Sequence, residues 1–213
     1  MPPVPLERSF YARNPLEVAR GLLGARLVRL LEGQRLAGLI CEAEAYWGEE
    51  DLACHARAGL TPRTQVMYGP PGHSYVYFNY GVHWMLNVVT EPEGMPSAVL
   101  IRGIQPVEGL ERMAAFRPMP AHRGDNRNDR QTVVGWTDGP GKVTRALGIT
   151  GDLNGVDLCD PDGPLWIEAG VQLPDEAVRR GPRVGIHSVP EPWKSKNWRF
   201  LAEIPASEPP EKP

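Results

Sequence analysis

An α+β single domain with a curved, largely antiparallel β-sheet, flanking helices and a protruding β-hairpin is the fold class that the sequence predicts, on three observations. Strand-like segments follow one another along the chain instead of alternating one by one with helices. Helix starts are few and sharply punctuated, as at Asn14-Pro15 and Gly139-Pro140. Proline accounts for 23 of 213 residues, about twice average usage, which favours short elements and ordered connections.

Taken in order, Asn14-Pro15-Leu16-Glu17 reads as a helix start, with Asn as N-cap, Pro at the first helical position and Glu in the first turn. Leu16, Ala19, Leu22 and Leu23 give this helix an apolar face, and Gly24 ends it. ARLVRLLEGQRLAGLICEAEAY predicts two strands joined near Glu32-Gly33, the second running to Tyr46. Alternation places Leu39, Cys41, Ala43 and Ala45 on one face of that second strand, and Ile40, Glu42, Glu44 and Tyr46 on the other. A long loop follows, with at most one short helix around residues 51–57. YVYFNY and HWMLNVVT then predict a hairpin around Gly81-Val82, and SAVLIRGI a further strand. Pro106 to Arg117 reads as helical, Arg117 to Asp138 as a polar loop, and GPGKVTRALGI as a helix opened by proline. The remainder reads as strand and loop. One globular domain is expected over residues 1–205, with 206–213 a disordered tail.

Composition excludes several function classes. The three cysteines, Cys41, Cys54 and Cys159, match no C-x-x-C spacing, so neither a disulfide framework nor a structural zinc site is expected. No run of about eighteen apolar residues and no secretory h-region is present, so the expectation is a cytoplasmic protein that does not span a membrane. Net charge is −3, which is not the footprint of a strongly basic nucleic-acid binder. The charge is unevenly spread, however. Residues 146–178 hold seven carboxylates and no Lys or Arg, whereas residues 102–145 hold eight basic residues against five acidic ones. Of the 23 basic residues 19 are Arg, which suits bidentate phosphate contact and is equally explained by genome composition.

GPGK at Gly139 to Lys142 is not a phosphate loop, because Trp136 stands where that loop needs Gly and Val143 where it needs Ser or Thr. Glu44 is the residue with chemical promise. A carboxylate on a strand beside small apolar residues is partly desolvated, which raises its pKa and suits a general base at neutral pH. The plain alternative is a solvated sheet face carrying Glu42 and Glu44. The flat rings of Tyr46, His55, Tyr75 and Tyr77, with Asn87 and Arg102 as donors on the following strands, favour a site for a heterocyclic base.

Three of the six tyrosines fall within YVYFNYG. Alternation sends Tyr75, Tyr77 and Asn79 to one face and Val76, Phe78 and Tyr80 to the other, with Tyr80 beside the turn at Gly81.

CEAEAYWGEEDLACHA, TPRT, MYGPPGHSYVYFNYGVHWMLNVVT, VLIRGIQPVEG, GPGKVTRALGI, NGVDL and PRVGI occur in the order, and at nearly the spacing, of the alkyladenine (3-methyladenine) DNA glycosylase family. The resemblance covers roughly residues 8–202 and rests on several independent blocks. It implies that Glu44 is the base activating water against C1′ of a damaged nucleotide. Arg102 and the backbone carbonyl of Val184 would be that water's other ligands. Tyr46, His55 and Tyr77 would hold the extruded base, Asn87 would crowd the exocyclic amine of guanine, and Tyr80 would fill the gap left in the duplex. Backbone phosphates would meet Arg57, Thr61, Arg63 and Lys142.

The implied activity is monofunctional hydrolysis of alkylated, and by extension deaminated or etheno, purines from double-stranded DNA. It would require no cofactor and no metal and would be carried out by a monomer. The segment HSVPEPWKSKNWRF is longer than usual for the family and has Asn197 where proline commonly stands. Rival readings are a non-catalytic nucleic-acid-binding module of the same fold and a small-molecule hydrolase using Glu44 and His55.

Overall fold

The expected hairpin at Glu32-Gly33 is present in the computed structural model, which describes residues 4–118 and 135–204. Strands β1 (Arg26–Leu31) and β2 (Gln34–Trp47) are joined by those two residues at φ 51° and 76°. Both lie in the left-handed region, the mirror-image turn whose twist matches an antiparallel ribbon. Strand β2 is 14 residues long and organises the sheet. Strand β5 (Ser97–Glu108) runs along one edge of it; the other edge takes β1 first and then β8 (Arg199–Ala202). With β3 (Ser74–Asn79), β4 (His83–Thr90), β6 (Leu165–Glu168) and β7 (Val178–Gly181), the order is β3-β4-β5-β2-β1-β6, with β7 and β8 branching from β2. Every pairing is antiparallel, as expected.

A one-turn helix, α1 (Arg8–Tyr11), precedes the expected one, α2 (Pro15–Leu22), whose Asn14 side chain accepts from the Leu16 amide at 2.8 Å. Helix α3 (Leu110–Phe116) corrects the expected helical start at Pro106. Pro106 belongs to β5, opposite Gly38 at a register shift, and a bulge is where a strand tolerates a proline. Gly109, at φ 75°, then breaks the strand. Helix α4 (Pro140–Ala146) opens on proline as its sequence indicates. The short helix expected around residues 51–57 is a 3₁₀ turn at His55–Ala58. Most of the polar loop between Arg117 and Asp138 and all of the 206–213 tail lie outside the described residues.

Helices α2 and α4 cover one face of the sheet. Val18, Ala19 and Leu22 of α2 and Val143 and Ala146 of α4 pack with Leu27, Leu36, Ile40, Ala43, Ala45, Ile101 and Ile104. The opposite face of the β2–β5–β4–β3 end carries a second cluster of Cys54, Ala56, Met67, Tyr75, Val89 and Ala98, flanked by Tyr46 and Tyr77. Neighbouring positions divide between the two clusters, Val76 against Tyr75, Val88 against Val89 and Val99 against Ala98, so the strands obey the two-residue period here. The strict alternation expected for β2 fails at one place. Register shifts on either side of Glu42 let both Leu39 and Ile40 enter the first core. The bulge sends the apolar half of β2 to the core and leaves Glu42, Glu44 and Tyr46 on the second face.

Candidate active site

Glu44 sits near the middle of the sheet, opposite Leu100 of β5 and Arg199 of β8, and its side chain is fully buried. Its two oxygens are held differently. Oε1 accepts from the Val184 amide at 2.6 Å and faces Arg102 Nε at 3.3 Å; Oε2 accepts from the Tyr46 hydroxyl at 2.9 Å. Burial pushes the carboxyl above the ordinary carboxylate range, against the pull of Arg102, the Val184 amide and the Tyr46 hydroxyl, and the nearby Glu42 charge adds to the rise. A solvated sheet face is thereby excluded for Glu44.

Arg102 lies two residues beyond Leu100, so it shares the face of Glu44. Its Nε donates to Glu42 at 2.9 Å, and Arg199 reaches the same Glu42 oxygen at 3.3 Å. Burial works against the Arg102 cation, but the Glu44 and Glu42 carboxylates outweigh it and raise its pKa. Two carboxylates and two guanidiniums thus form one patch around the buried Glu44, charge-balanced when both carboxyls are ionised. Burial and the Glu44 charge raise the Tyr46 phenol, which stays protonated and donates to Glu44.

Beside this patch a cavity of about 460 Å³ is lined by Tyr46, His55, Tyr75, Tyr77, Met85, Asn87, Leu100 and Arg102, with Arg57, Tyr80 and Pro190 also on its wall. The volume lies within the range of small-ligand sites. His55 and Tyr77 meet edge to face, with ring centroids 4.5 Å apart, and Tyr75 lies 5.3 Å from Tyr77. The Tyr75 hydroxyl and His55 Nδ1 share a hydrogen bond of 2.9 Å. Burial, then Arg63 and Arg57, lower the His55 pKa to about 4, so the imidazole is neutral at physiological pH. Tyr75, one of the flat rings that favoured a base site, holds His55 through this bond. Asn87 is buried and donates its Nδ2 to the Tyr75 carbonyl at 3.0 Å.

Tyr80 is 79% exposed at the tip of the β3–β4 hairpin. It has φ 53°, and Gly81 has φ 69°. Strand alternation would turn Tyr80 away from Tyr77, but the left-handed turn brings it back to the cavity wall beside Asn79. A bulky aromatic in that conformation costs about 1–2 kcal/mol, a sign that its place serves something other than stability.

The four residues expected at phosphates all have intramolecular partners. Thr61 exchanges hydrogen bonds with Thr64, Oγ1 to Oγ1 at 2.9 Å. The Arg63 guanidinium lies 5.0 Å from the centre of the Tyr77 ring, Arg57 donates to the Leu52 carbonyl at 3.0 Å, and Lys142 is paired with Asp138. Val184 meets Glu44 through its backbone amide, a contact separate from the carbonyl expected to hold the water. Sequence reasoning passed over Asp51 and Arg183, a fully buried ion pair beneath Tyr46. Their separation of 132 residues leaves no local pattern to find. Among the described residues, no group of His, Cys, Asp and Glu is placed to hold a metal ion, and no helix is long and apolar enough to cross a membrane.

A buried carboxylate beside an aromatic-walled slot, with an exposed aromatic at the slot's edge, fits the class of enzymes that work on a base drawn out of a nucleic-acid stack. Comparison with known proteins makes the class definite. The family described as Methylpurine-DNA glycosylase (MPG) matches residues 9–205, and the chain belongs to that family. It is accordingly a DNA-repair enzyme of the 3-methyladenine glycosylase type, a hydrolase of N-glycosyl bonds. A relative from Myxococcus xanthus is 49% identical over 181 residues, 85% of this chain and 81% of that protein. Relatives from Methanocella arvoryzae and Desulfitobacterium hafniense are 45% and 46% identical, over 92% and 93% of this chain and 90% and 95% of their own lengths. All three carry the name "Putative 3-methyladenine DNA glycosylase".

Proposed function

We propose that the protein removes 3-methyladenine, and with it 7-methylguanine and deaminated or etheno purines, from double-stranded DNA by flipping the damaged nucleotide into the aromatic cavity. The observation that carries this reading is the full burial of Glu44 at the side of that cavity, next to Arg102 and Val184. A carboxylate buried at such cost is poorly explained in a module that only binds.

In the reaction the oxygen of a water attacks C1′, Glu44 takes the water's proton, and the C1′–N bond breaks with its electron pair leaving on the purine. An alkylated purine is already cationic and departs neutral. The negative Glu44 also stabilises the positive charge that grows on the sugar. Water is the nucleophile in this reading, since none of the residues lining the cavity is a lysine whose amine could attack. Tyr46, His55 and Tyr77 hold the ring, Asn87 excludes the guanine amine, and Tyr80 offsets the stacking lost from the duplex. Arg57, on the cavity wall, contributes a phosphate contact, and Thr61, Arg63 and Lys142 contribute further ones once DNA displaces their internal partners. The enzyme acts as a cytoplasmic monomer in this reading.

The experiment is release of free 3-methyladenine from an alkylated duplex, with parallel duplexes carrying 7-methylguanine, hypoxanthine or ethenoadenine. Release by wild type with loss in Glu44→Gln supports the proposal. No release by wild type, or equal release by the variant, refutes it.

A further inference from the structure

Arg183 and Asp51 lie outside the reacting groups, yet they tie together the Glu44 strand, the Val184 loop and the turn that leads into His55. The Arg183 side chain is fully buried, as is that of Asp51. Its Nη1 donates to Asp51 Oδ2 at 2.5 Å and to the Ala45 carbonyl of β2 at 3.0 Å; Nη2 donates to Asp51 Oδ1 at 2.9 Å and to the Trp193 carbonyl at 3.3 Å. The guanidinium plane is also packed by two rings, Tyr46 at 4.7 Å and Trp198 at 4.9 Å. Asp51 in turn accepts from the Trp47 amide at 3.2 Å and the Ala53 amide at 3.0 Å, which folds the turn leading into His55.

We infer that Arg183, clamped by Asp51, is the positioning residue of the active site. It fixes the Val184 amide on Glu44 and the Tyr46 ring against the cavity, so that the general base and the base-binding wall are set by one buried fork. Three features favour this over plain structural stabilisation. Val184 follows Arg183 directly in the chain and donates to Glu44 at 2.6 Å, so a shift of the guanidinium moves a donor to the reacting carboxylate. Tyr46, stacked on the guanidinium, supplies the second donor to Glu44. Replacing a buried ion pair by apolar side chains is often neutral or stabilising, so stability alone is a weak reason to have one. Only an arginine can supply four planar hydrogen bonds and a stacked face together.

The consequence is a dependence of Glu44 on Arg183 that can be read by titration. The charged and titratable groups facing Glu44 are Glu42 and Tyr46 on β2, Arg102 on β5, Arg199 on β8 through Glu42, and Tyr77 on β3. The Val184 amide is among the donors that hold the carboxyl down. Losing its alignment moves the acid limb of the rate profile to higher pH, because only the ionised base accepts the proton from water.

The inference rests on the glycosylase reading, and the test separates the two. Single-turnover release of 3-methyladenine is followed from mildly acidic to mildly alkaline pH for wild type, Arg183→Lys, Arg183→Gln and Asp51→Asn. Folded protein is counted by stoichiometric binding of a duplex with an abasic-site mimic. The expected result per folded molecule is a rate lowered about 10- to 100-fold with the acid limb moved up. Should Arg183→Gln fail to fold, Arg183→Lys and Asp51→Asn carry the same readout, because Lys keeps the positive charge and Asn keeps the shape of the native side chain. A normal rate per folded molecule, or a lowered rate with an unmoved limb, overturns the inference and leaves the glycosylase reading intact. A wild type that releases no base overturns both.

Discussion

Glu44→Gln is the substitution whose outcome the structure fixes most closely. The amide oxygen of glutamine can take the place of Oε1, keeping the Val184 amide at 2.6 Å and Arg102 within reach at 3.3 Å. The amide nitrogen then meets the Tyr46 hydroxyl, now 2.9 Å from Oε2, which rotates from donor to acceptor. The amide oxygen and nitrogen each keep a partner, so the fold should be retained. Burial raises the Glu44 pKa, so its ionised form counts against folding as pH rises through that pKa, and glutamine removes this cost. The chemistry loses on two counts. General-base assistance disappears, about 10²- to 10⁴-fold, or about 3–5 kcal/mol of barrier. The patch of Glu42, Glu44, Arg102 and Arg199 also changes from balanced to one net positive charge, which opposes the cation forming on the sugar. Single-turnover release of 3-methyladenine measures the sum, with melting temperature and abasic-duplex affinity as controls. Retention of more than about a tenth of the wild-type rate, in a variant that folds and binds normally, would sink the assignment of Glu44 as base.

Three further outcomes follow from single residues. His55 has its pKa lowered from 6.5 to about 4, so the unfolded chain binds a proton that the folded one refuses between those values. Its contribution to stability is complete above pH 6.5 and is lost as pH falls toward 4, by at most about 2 kcal/mol after screening. Urea midpoints at the two ends of that window should fall for wild type and fall less for His55→Gln; parallel behaviour would contradict the shift. Tyr80→Gly should relieve the strained φ of 53° and stabilise the fold by up to about 1 kcal/mol while weakening binding to an abasic-site duplex; unchanged binding would remove Tyr80 from the role of wedge. At Gly24, φ 85°, an added Cβ would stand 2.1 Å from the Val171 carbonyl oxygen, so Gly24→Ala should cost about 2–5 kcal/mol in denaturant unfolding, and a cost under about 1 kcal/mol would mean the turn adapts freely.

What the sequence made legible is what local chemistry dictates. Asn14-Pro15 starts a helix and Glu32-Gly33 closes a hairpin because capping and left-handed turns are decided by the residues that make them. Alternation placed Tyr75 with Tyr77, and Glu44 with Tyr46, on the faces where they are found. The same reasoning failed wherever an element takes its geometry from a distant partner. Leu39 and Ile40 both enter the core because β5 forces register shifts around Glu42, and nothing in QRLAGLICEAEAY announces them. Pro106 reads as a helix start until β2 is laid beside it. Tyr80 shows the limit best. Its exposure follows from the turn, but its side does not, since a positive φ cancels the alternation that assigned it away from Tyr77. The Asp51–Arg183 fork is the extreme case: two unremarkable charges 132 residues apart become one buried object where β8 pairs with β2 and the Arg183 loop meets the Glu44 strand. The reacting carboxylate is thus locally encoded, while the donors that set its charge arrive from strands and loops up to 140 residues away. A local substitution at Glu44 should therefore remove the chemistry cleanly, whereas substitutions at its distant donors should retune its pH dependence.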